Sequence, residues 1–256
     1  MWLKKQTPNI ITLLNLFSGC IAVIFAVKGN LQEAALFVMI GIGFDFFDGF
    51  AARILKVQSE LGLQLDSLAD MVTSGLVPGL MMYQLLSHVV TSPTYMIPDS
   101  WSSELDLTVF GANYIPLIGL LITLASAYRL AKFNIDTRQT TSFIGLPTPA
   151  NTLLIVSLPL ILAFQPEEWI AYIILNKTFL LGLTFVCCYL LNAEIPLFAL
   201  KFKTWDFGKN KIRYIFLFLT LGLCIGLRFI AIPCVIFLYI FISIIFMGDE
   251  SKEKRT

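Results

Sequence analysis

An all-α fold, that of a polytopic helical membrane protein, follows from three features of the chain: its composition, the recurrence of its apolar runs and the placement of its basic residues. Hydrophobic residues make up 57% of the 256 residues against 14% charged, with 22 Phe, and the mean hydropathy is +0.80. That balance belongs to membrane proteins and excludes a soluble enzyme. Apolar runs near spanning length recur between short polar connections, enough for eight spans. With eight spans and a cytoplasmic N-terminus, only Lys28, Lys177 and Arg228 of the 18 basic residues fall at or near the outer face, the bias the positive-inside rule describes. The net charge of +1 is unremarkable, and no basic, aromatic-laced patch suggests nucleic acid.

Taken in order, a polar lead from Met1 to Thr7 with Lys4 and Lys5 precedes a first apolar run from about Ile10 to Val27. Such a lead can mimic a secretory signal. Further spans follow at once, however, and Asn9, Thr12 and Asn15 form a polar stripe at i, i+3 and i+6 that a signal core does not need. Lys28, Gly29 and Asn30 make a tight turn into a second helix, about Leu31 to Leu55, and a third runs from about Leu63 to Leu86. His88 to Ala112 reads as a loop with Tyr95 and Trp101 as interfacial anchors. The only histidine, His88, reads as a surface residue.

A fourth helix, about Asn113 to Phe133, ends in SAYRLAKFN, which brings Arg129, Lys132 and Asn134 to one membrane face. GLPTPAN, Gly145 to Asn151, opens a fifth helix to about Phe164, and proline at a helix start does not break it. The sixth helix, about Asn176 to Leu191, follows an outer stretch PEEW. A segment with Lys201, Lys203, Lys209, Lys211 and Arg213 then leads to two closely connected runs, about Ile212 to Leu227 and Ile230 to Met247, and a charged tail from Asp249. All five cysteines lie in apolar runs and read as small packing residues, neither a disulfide framework nor a zinc site.

One stretch departs from this lipid-like pattern: DFFDGFAARILKVQSELGLQLDSLAD, Asp45 to Asp70. On a helix Asp45 and Asp48 stand at i and i+3, and Asp66 and Asp70 at i and i+4, so each pair shares a face. Two helices joined by a short turn bring those faces together. Four carboxylates without His or Cys make an all-oxygen set suited to a hard divalent cation. Unneutralised, they would repel one another strongly. Gly49 and Gly62 permit close approach of backbone or ligand, and Arg53 offers a planar fork for phosphate. Ionisable residues in a spanning segment are rare and usually functional.

The spacing of Asp45, Asp48, Gly49, Ala52, Arg53, Gly62, Asp66 and Asp70 resembles the signature of the CDP-alcohol phosphotransferase family. Within that family, the strings TPNIITLLNLFSG, QSELGLQLDSLADMVTSG, YRLAKFN, FIGLPTPAN and LLNAEIPLFALKFK resemble the bacterial-type phosphatidylserine synthases, and together they touch most of residues 7 to 203. The resemblance implies a six-helix catalytic core, residues 1–203, commonly a homodimer, with residues 204–256 adding two transmembrane helices and a charged cytoplasmic tail. It implies transfer of a phosphatidyl group from CDP-diacylglycerol to the hydroxyl of L-serine, with release of CMP, in phospholipid biosynthesis. The setting it implies is a bacterial inner membrane with the active site at the cytoplasmic face.

The resemblance also assigns residues. Asp45, Asp48, Asp66 and Asp70 would hold divalent cations, Mg²⁺ or Mn²⁺ with Ca²⁺ also fitting, two per active site. Asp70 would be the general base. Asn9, Thr12, Gly49, Ala52, Arg53 and Gly62 would bind the nucleotide; the carboxylate of serine needs a cation, for which Arg129, with Asn15 nearby, is the candidate, a lipid-headgroup anchor being the other reading of a basic residue at a span end. No residue after Lys203 matches these motifs, so the last two helices are expected to be peripheral to the chemistry.

Two other readings stay open at this level. The signature handles the shared donor half, so inositol phosphate, glycerol phosphate or choline as acceptor is not separated from serine by it, although the flanking strings favour serine. Intramembrane carboxylates also serve cation transporters. Transporters favour midplane sites and inverted repeats, whereas these acids gather at one face beside an arginine spaced for phosphate.

Overall fold

A computed structural model of the chain describes residues 2–91, 114–136, 143–198 and 210–253. Expectations that fall on Tyr95, Trp101, Arg138, Lys201, Lys203 and Lys209 lie outside the described residues. Helix α1 (Trp2–Val27) starts well ahead of the expected apolar run and carries Pro8 inside it. Hydropathy marks where a lipid-facing surface begins, and the polar first turns give no such mark. Helix α2 (Leu31–Leu55) has the expected bounds. Gly29 at φ 77° turns the chain into it, and Lys56, left-handed at φ 52°, closes it with its N–H on the Ala52 and Arg53 carbonyls.

The third expected helix is three consecutive pieces: α3 (Glu60–Asp70), a π-helical segment (Met71–Leu76) and α4 (Val77–Thr91). It begins earlier than expected because Ser59 caps it, its Oγ accepting the Gly62 N–H at 3.0 Å. It also ends later, so His88 sits half-buried in the last turn of α4 instead of in a loop. Carbonyls in the π segment find hydroxyl donors on other helices: Thr152 donates to the Ser74 carbonyl at 2.8 Å and Thr123 to the Gly75 carbonyl at 3.1 Å. In return the Thr73 hydroxyl donates to the Asn15 carbonyl of α1 at 3.2 Å.

The fourth expected helix opens as a 3₁₀ segment, Ile115–Leu120, with Pro116 in its first turn, and continues as α5 (Leu121–Ile135). α6 (Thr148–Phe164) starts within GLPTPAN as expected. The stretch PEEW leads into a short helix that sequence does not foretell, α7 (Glu168–Ile174), ahead of α8 (Lys177–Asn192). Two-residue strands β1 (Phe143–Ile144) and β2 (Pro196–Leu197) pair antiparallel, Phe143 opposite Leu197 and Ile144 opposite Pro196. α9 (Lys211–Leu227) and α10 (Ala231–Glu253) are separated by the 3₁₀ turn Arg228–Ile230. Arg228 is left-handed at φ 50°, and the Phe216 and Tyr239 rings meet at 5.8 Å, so the two arms fold back on each other.

The all-α membrane fold stands, with some of the expected spans built of more than one helical piece. Four described stretches are long and apolar enough to cross a membrane: Gln6–Val27, Leu31–Leu55, Ile115–Ile135 and Lys211–Ile245; α7 and α8, bent by 59°, make a fifth together. The third expected span is cut by the π segment and carries Glu60, Asp66 and Asp70. α6 falls short of the full length, and the last two expected spans share the stretch that turns at Arg228. Large apolar side chains such as Phe17, Phe46, Phe47, Phe218 and Ile225 are exposed, which in water would be a liability and in a bilayer is the lipid-facing surface. Cys20 and Cys224 belong to that exposed surface, whereas Cys187 is buried.

Inside, α1 and α2 meet through Ala22, Ala26, Ala34 and Ala35, all fully buried. Small residues let helix backbones approach closely where lipid supplies no hydrophobic drive. Gln84 of α4 donates to the Ala26 carbonyl at 3.1 Å, tying the third helical run to the end of α1. Ile236 and Ile240 of α10 join the same buried cluster as Leu146, Ile155 and Leu180. α10 therefore shares the main core, while Phe216 of α9 packs in a smaller cluster with Phe198 and Ile242.

Candidate active site

α1 packs against both α2 and α3, and its polar stripe touches both carboxylate pairs. The Thr12 hydroxyl donates to the Asp48 carboxylate, with the Pro8 carbonyl at 3.0 Å as its other acceptor. One turn on, Asn15 Nδ2 donates to Asp70 Oδ1 at 3.4 Å. Gly41 of α2 lies against this point: a Cβ there would come within 2.7 Å of Thr73 Cγ2 and 2.9 Å of Asn15 Oδ1.

The carboxylates of α2 and α3 come together across the helix pair. One oxygen each from Asp45, Asp48 and Asp66 lies within 4.8 Å of the other two, and Asp70 accepts from Asn15 through its Oδ1. Asp66 Oδ1 is buried with no hydrogen-bond partner, and Asp48 is only 6% exposed. Three carboxylates so close in a largely buried site repel strongly unless a cation sits among them. The donor chemistry, all oxygen, fits Mg²⁺, Mn²⁺ or Ca²⁺.

Beside the triad opens a cavity of about 790 Å³. Asn9, Thr12, Gly49, Ala52, Arg53 and Gly62, the six expected nucleotide-binding residues, all line it, together with Asp48 and Asp66. Its floor is made where α2 ends and α3 begins. Arg53 Nε donates to the Gly49 carbonyl at 2.9 Å, which holds the guanidinium along the helix end. A Cβ on Gly49 would meet nothing closer than Arg53 Nη2 at 3.9 Å, so this glycine keeps space open at the cavity wall. Phe133 of α5 also lines the cavity, and sequence reasoning did not single it out.

Arg129 lies deeper. It is 7% exposed; its Nη1 donates to Thr148 Oγ1 at 3.1 Å and its guanidinium carbon sits 6.0 Å from the Phe133 ring centroid. Its Nε is buried without a partner, and so are Ser74 Oγ, Ser126 Oγ and both amide atoms of Asn151. Buried polar groups are usually satisfied. Thr148 and Thr152 of α6 bond Arg129 of α5 and Ser74 of the π segment, and Asn151 stands between them on the same helix face. These unmet groups line the junction of α5, α6 and the π segment. Thr148 and Asn151 were not among the expected site residues. Their spacing with Thr152, at i, i+3 and i+4 in an otherwise apolar helix, is the signal that marks them.

The sequence model described as CDP-alcohol phosphatidyltransferase matches residues 5–189. The CDP-diacylglycerol--serine O-phosphatidyltransferase of Bacillus subtilis is 33% identical over 146 residues, which cover 56% of this chain and 68% of that protein. The protein of the same name from Helicobacter pylori is 30% identical over 151 residues, 58% of this chain and 55% of that one. Archaetidylserine synthase of Methanothermobacter thermautotrophicus is 27% identical over 176 residues, 68% of this chain and 66% of that protein. The chain thus spans between about half and about two thirds of the length of these relatives.

Proposed function

The chain belongs to the CDP-alcohol phosphatidyltransferase family, and on that premise we propose that it transfers the phosphatidyl group of CDP-diacylglycerol to the hydroxyl of L-serine, releasing CMP. The observation that carries this reading is the cavity in which all six expected nucleotide-binding residues meet Asp48 and Asp66. The relatives from Bacillus subtilis and Helicobacter pylori, both named as serine O-phosphatidyltransferases, support serine as the acceptor.

In this reading Asn9, Thr12, Gly49, Ala52, Arg53 and Gly62 hold the cytidine and its pyrophosphate, while the acyl tails stay in the surrounding lipid. Asp45, Asp48, Asp66 and Asp70 would hold the divalent cations, two per active site. When bound, those cations neutralise the pyrophosphate and the departing CMP. Asn15 fixes the Asp70 carboxylate by its amide, and Arg129 takes the carboxylate of serine. Asp70 then accepts the proton of the serine hydroxyl as its oxygen bonds to the phosphorus that bears diacylglycerol. The bond from that phosphorus to the CMP oxygen breaks, and CMP leaves. The direct test is purified protein with CDP-diacylglycerol and a panel of alcohols, with CMP release measured and lipid products identified by mass. Phosphatidylserine as the main product is expected. A preference for inositol phosphate, glycerol phosphate or choline would move the acceptor while leaving phosphatidyl transfer in place, and no CMP release at all would favour a cation transporter.

Arg129→Ala should raise the KM for serine about 10- to 100-fold with the KM for CDP-diacylglycerol little changed. A hydrogen bond to a charged group contributes about 1.5 to 3 kcal/mol, and each 1.4 kcal/mol is about tenfold. If the variant weakens the donor and spares serine, the acceptor pocket is elsewhere.

The enzyme works at the cytoplasmic face of a bacterial inner membrane, as a homodimer, with residues 1–203 as its core and 204–256 as two added helices and a tail. Sidedness has its own test. In a chain whose native cysteines are replaced, Ser59→Cys should react with an impermeant thiol reagent only from the cytoplasmic side and Lys177→Cys only from outside; the opposite labelling overturns the topology.

A further inference from the structure

The family match ends at residue 189, yet the strap that follows it, residues 190–198, holds the acceptor side together. Asn192 Nδ2 donates to the Ala125 carbonyl of α5 at 3.2 Å, one turn before Arg129. Glu194 pairs with Lys132 of the same helix at 3.5 Å. On its other flank the strap carries the start of α6: the Gly145 N–H donates to the Ile195 carbonyl at 3.0 Å, the Leu146 N–H to the Leu190 carbonyl at 2.8 Å, and β1 pairs with β2. Gly145 is left-handed at φ 75°, and a Cβ there would lie 2.7 Å from the Leu191 carbonyl oxygen and 3.0 Å from that of Ala193, so the two segments are in close contact. Thr148, which takes the Arg129 guanidinium, follows directly.

The far end of the strap is clamped by the last two helices. Phe198 is 7% exposed, with its ring 5.7 Å from Phe216 of α9 and 5.0 Å from Tyr239 of α10. The Tyr239 hydroxyl donates to the Phe198 carbonyl at 2.8 Å. We propose that α9 and α10 brace the acceptor side of the active site, and that Tyr239 is a positioning residue which, through the strap 190–198, sets the orientation of Arg129. This replaces the expectation that the last two helices are peripheral to the chemistry, and it rests on the reading that Arg129 meets the acceptor.

The test uses the full chain in bilayers of fixed composition. Tyr239→Phe removes one hydroxyl and keeps the ring; it should raise the KM for serine about two- to tenfold, the scale of one net hydrogen bond. The KM for CDP-diacylglycerol and the unfolding midpoint should be unchanged. Phe216→Leu, which loosens the same clamp from the other arm, should move the serine KM in the same direction. In an Arg129→Ala background, Tyr239→Phe should add nothing. The proposal is overturned if Tyr239→Phe leaves the serine KM unchanged, raises both KM values together, only lowers the unfolding midpoint, or adds its full effect to Arg129→Ala. If Arg129→Ala itself leaves serine untouched, the acceptor reading fails first and takes the brace with it; if Arg129→Ala acts and Tyr239→Phe does not, the brace fails alone.

Discussion

Excess chelator, or Asn in place of any one of Asp45, Asp48 and Asp66, is expected to abolish CMP release from CDP-diacylglycerol. Each substitution keeps the size of the side chain but removes a charge from a triad whose oxygens lie within 4.8 Å of one another. The loss should be at least about 10²- to 10³-fold, the scale on which removing one charge-stabilising contact at a reacting centre acts. Mn²⁺ binding to the purified protein, measured calorimetrically, should weaken in the same three variants, so the effect can be traced to the cation independently of turnover. Near-normal turnover in chelator, or in any of the three, would sink the metal assignment.

Asp70→Asn should be equally severe in turnover and different in kind. A positioned base contributes about 10²- to 10⁴-fold, and an amide at this position cannot accept the proton of serine. The substitution keeps the size and one oxygen and leaves Asp45, Asp48 and Asp66 in place, so Mn²⁺ and CDP-diacylglycerol should still bind the variant. If Mn²⁺ affinity collapses with Asp70→Asn as it does with Asp48→Asn, Asp70 is chiefly a ligand and the base must be sought elsewhere.

Much of this was legible in sequence because the signals were local. Polar residues at helical spacing in a run that must otherwise be apolar have few explanations in a membrane, so the aspartates, the stripe of Asn9, Thr12 and Asn15, and Arg129 could be picked out one by one. The bounds of α2 were legible for a similar reason: a turn-forming Lys28, Gly29 and Asn30 meets an unbroken apolar run. That Thr12 and Asn15 of α1 reach Asp48 and Asp70 was not legible, since i, i+4 spacing on α3 says nothing about what packs against the pairs. Nor were the partners of Arg129. Thr148 and Asn151 sit in a string whose prolines draw attention to the helix start, while their orientation depends on two-residue strands too short to leave a periodic trace. α7 was hidden by its length, and the π segment MVTSGL by having the same composition as an ordinary buried helix.

That π segment fixes the phase of everything downstream. A helix with i to i+5 bonding carries, in effect, one residue more than the regular coil needs, and one residue corresponds to about 100° of rotation. Removing any one of residues 71–76 to restore a regular coil would leave Asp66 and Asp70 where they are and swing α4 by that angle. Gly79, which now accommodates Thr123 where no Cβ would fit, would face another neighbour, and Gln84 would leave the Ala26 carbonyl. In genetic terms, a single-codon deletion in this hexapeptide is a frameshift of the fold: the reading frame of the message survives while that of the helix faces is lost.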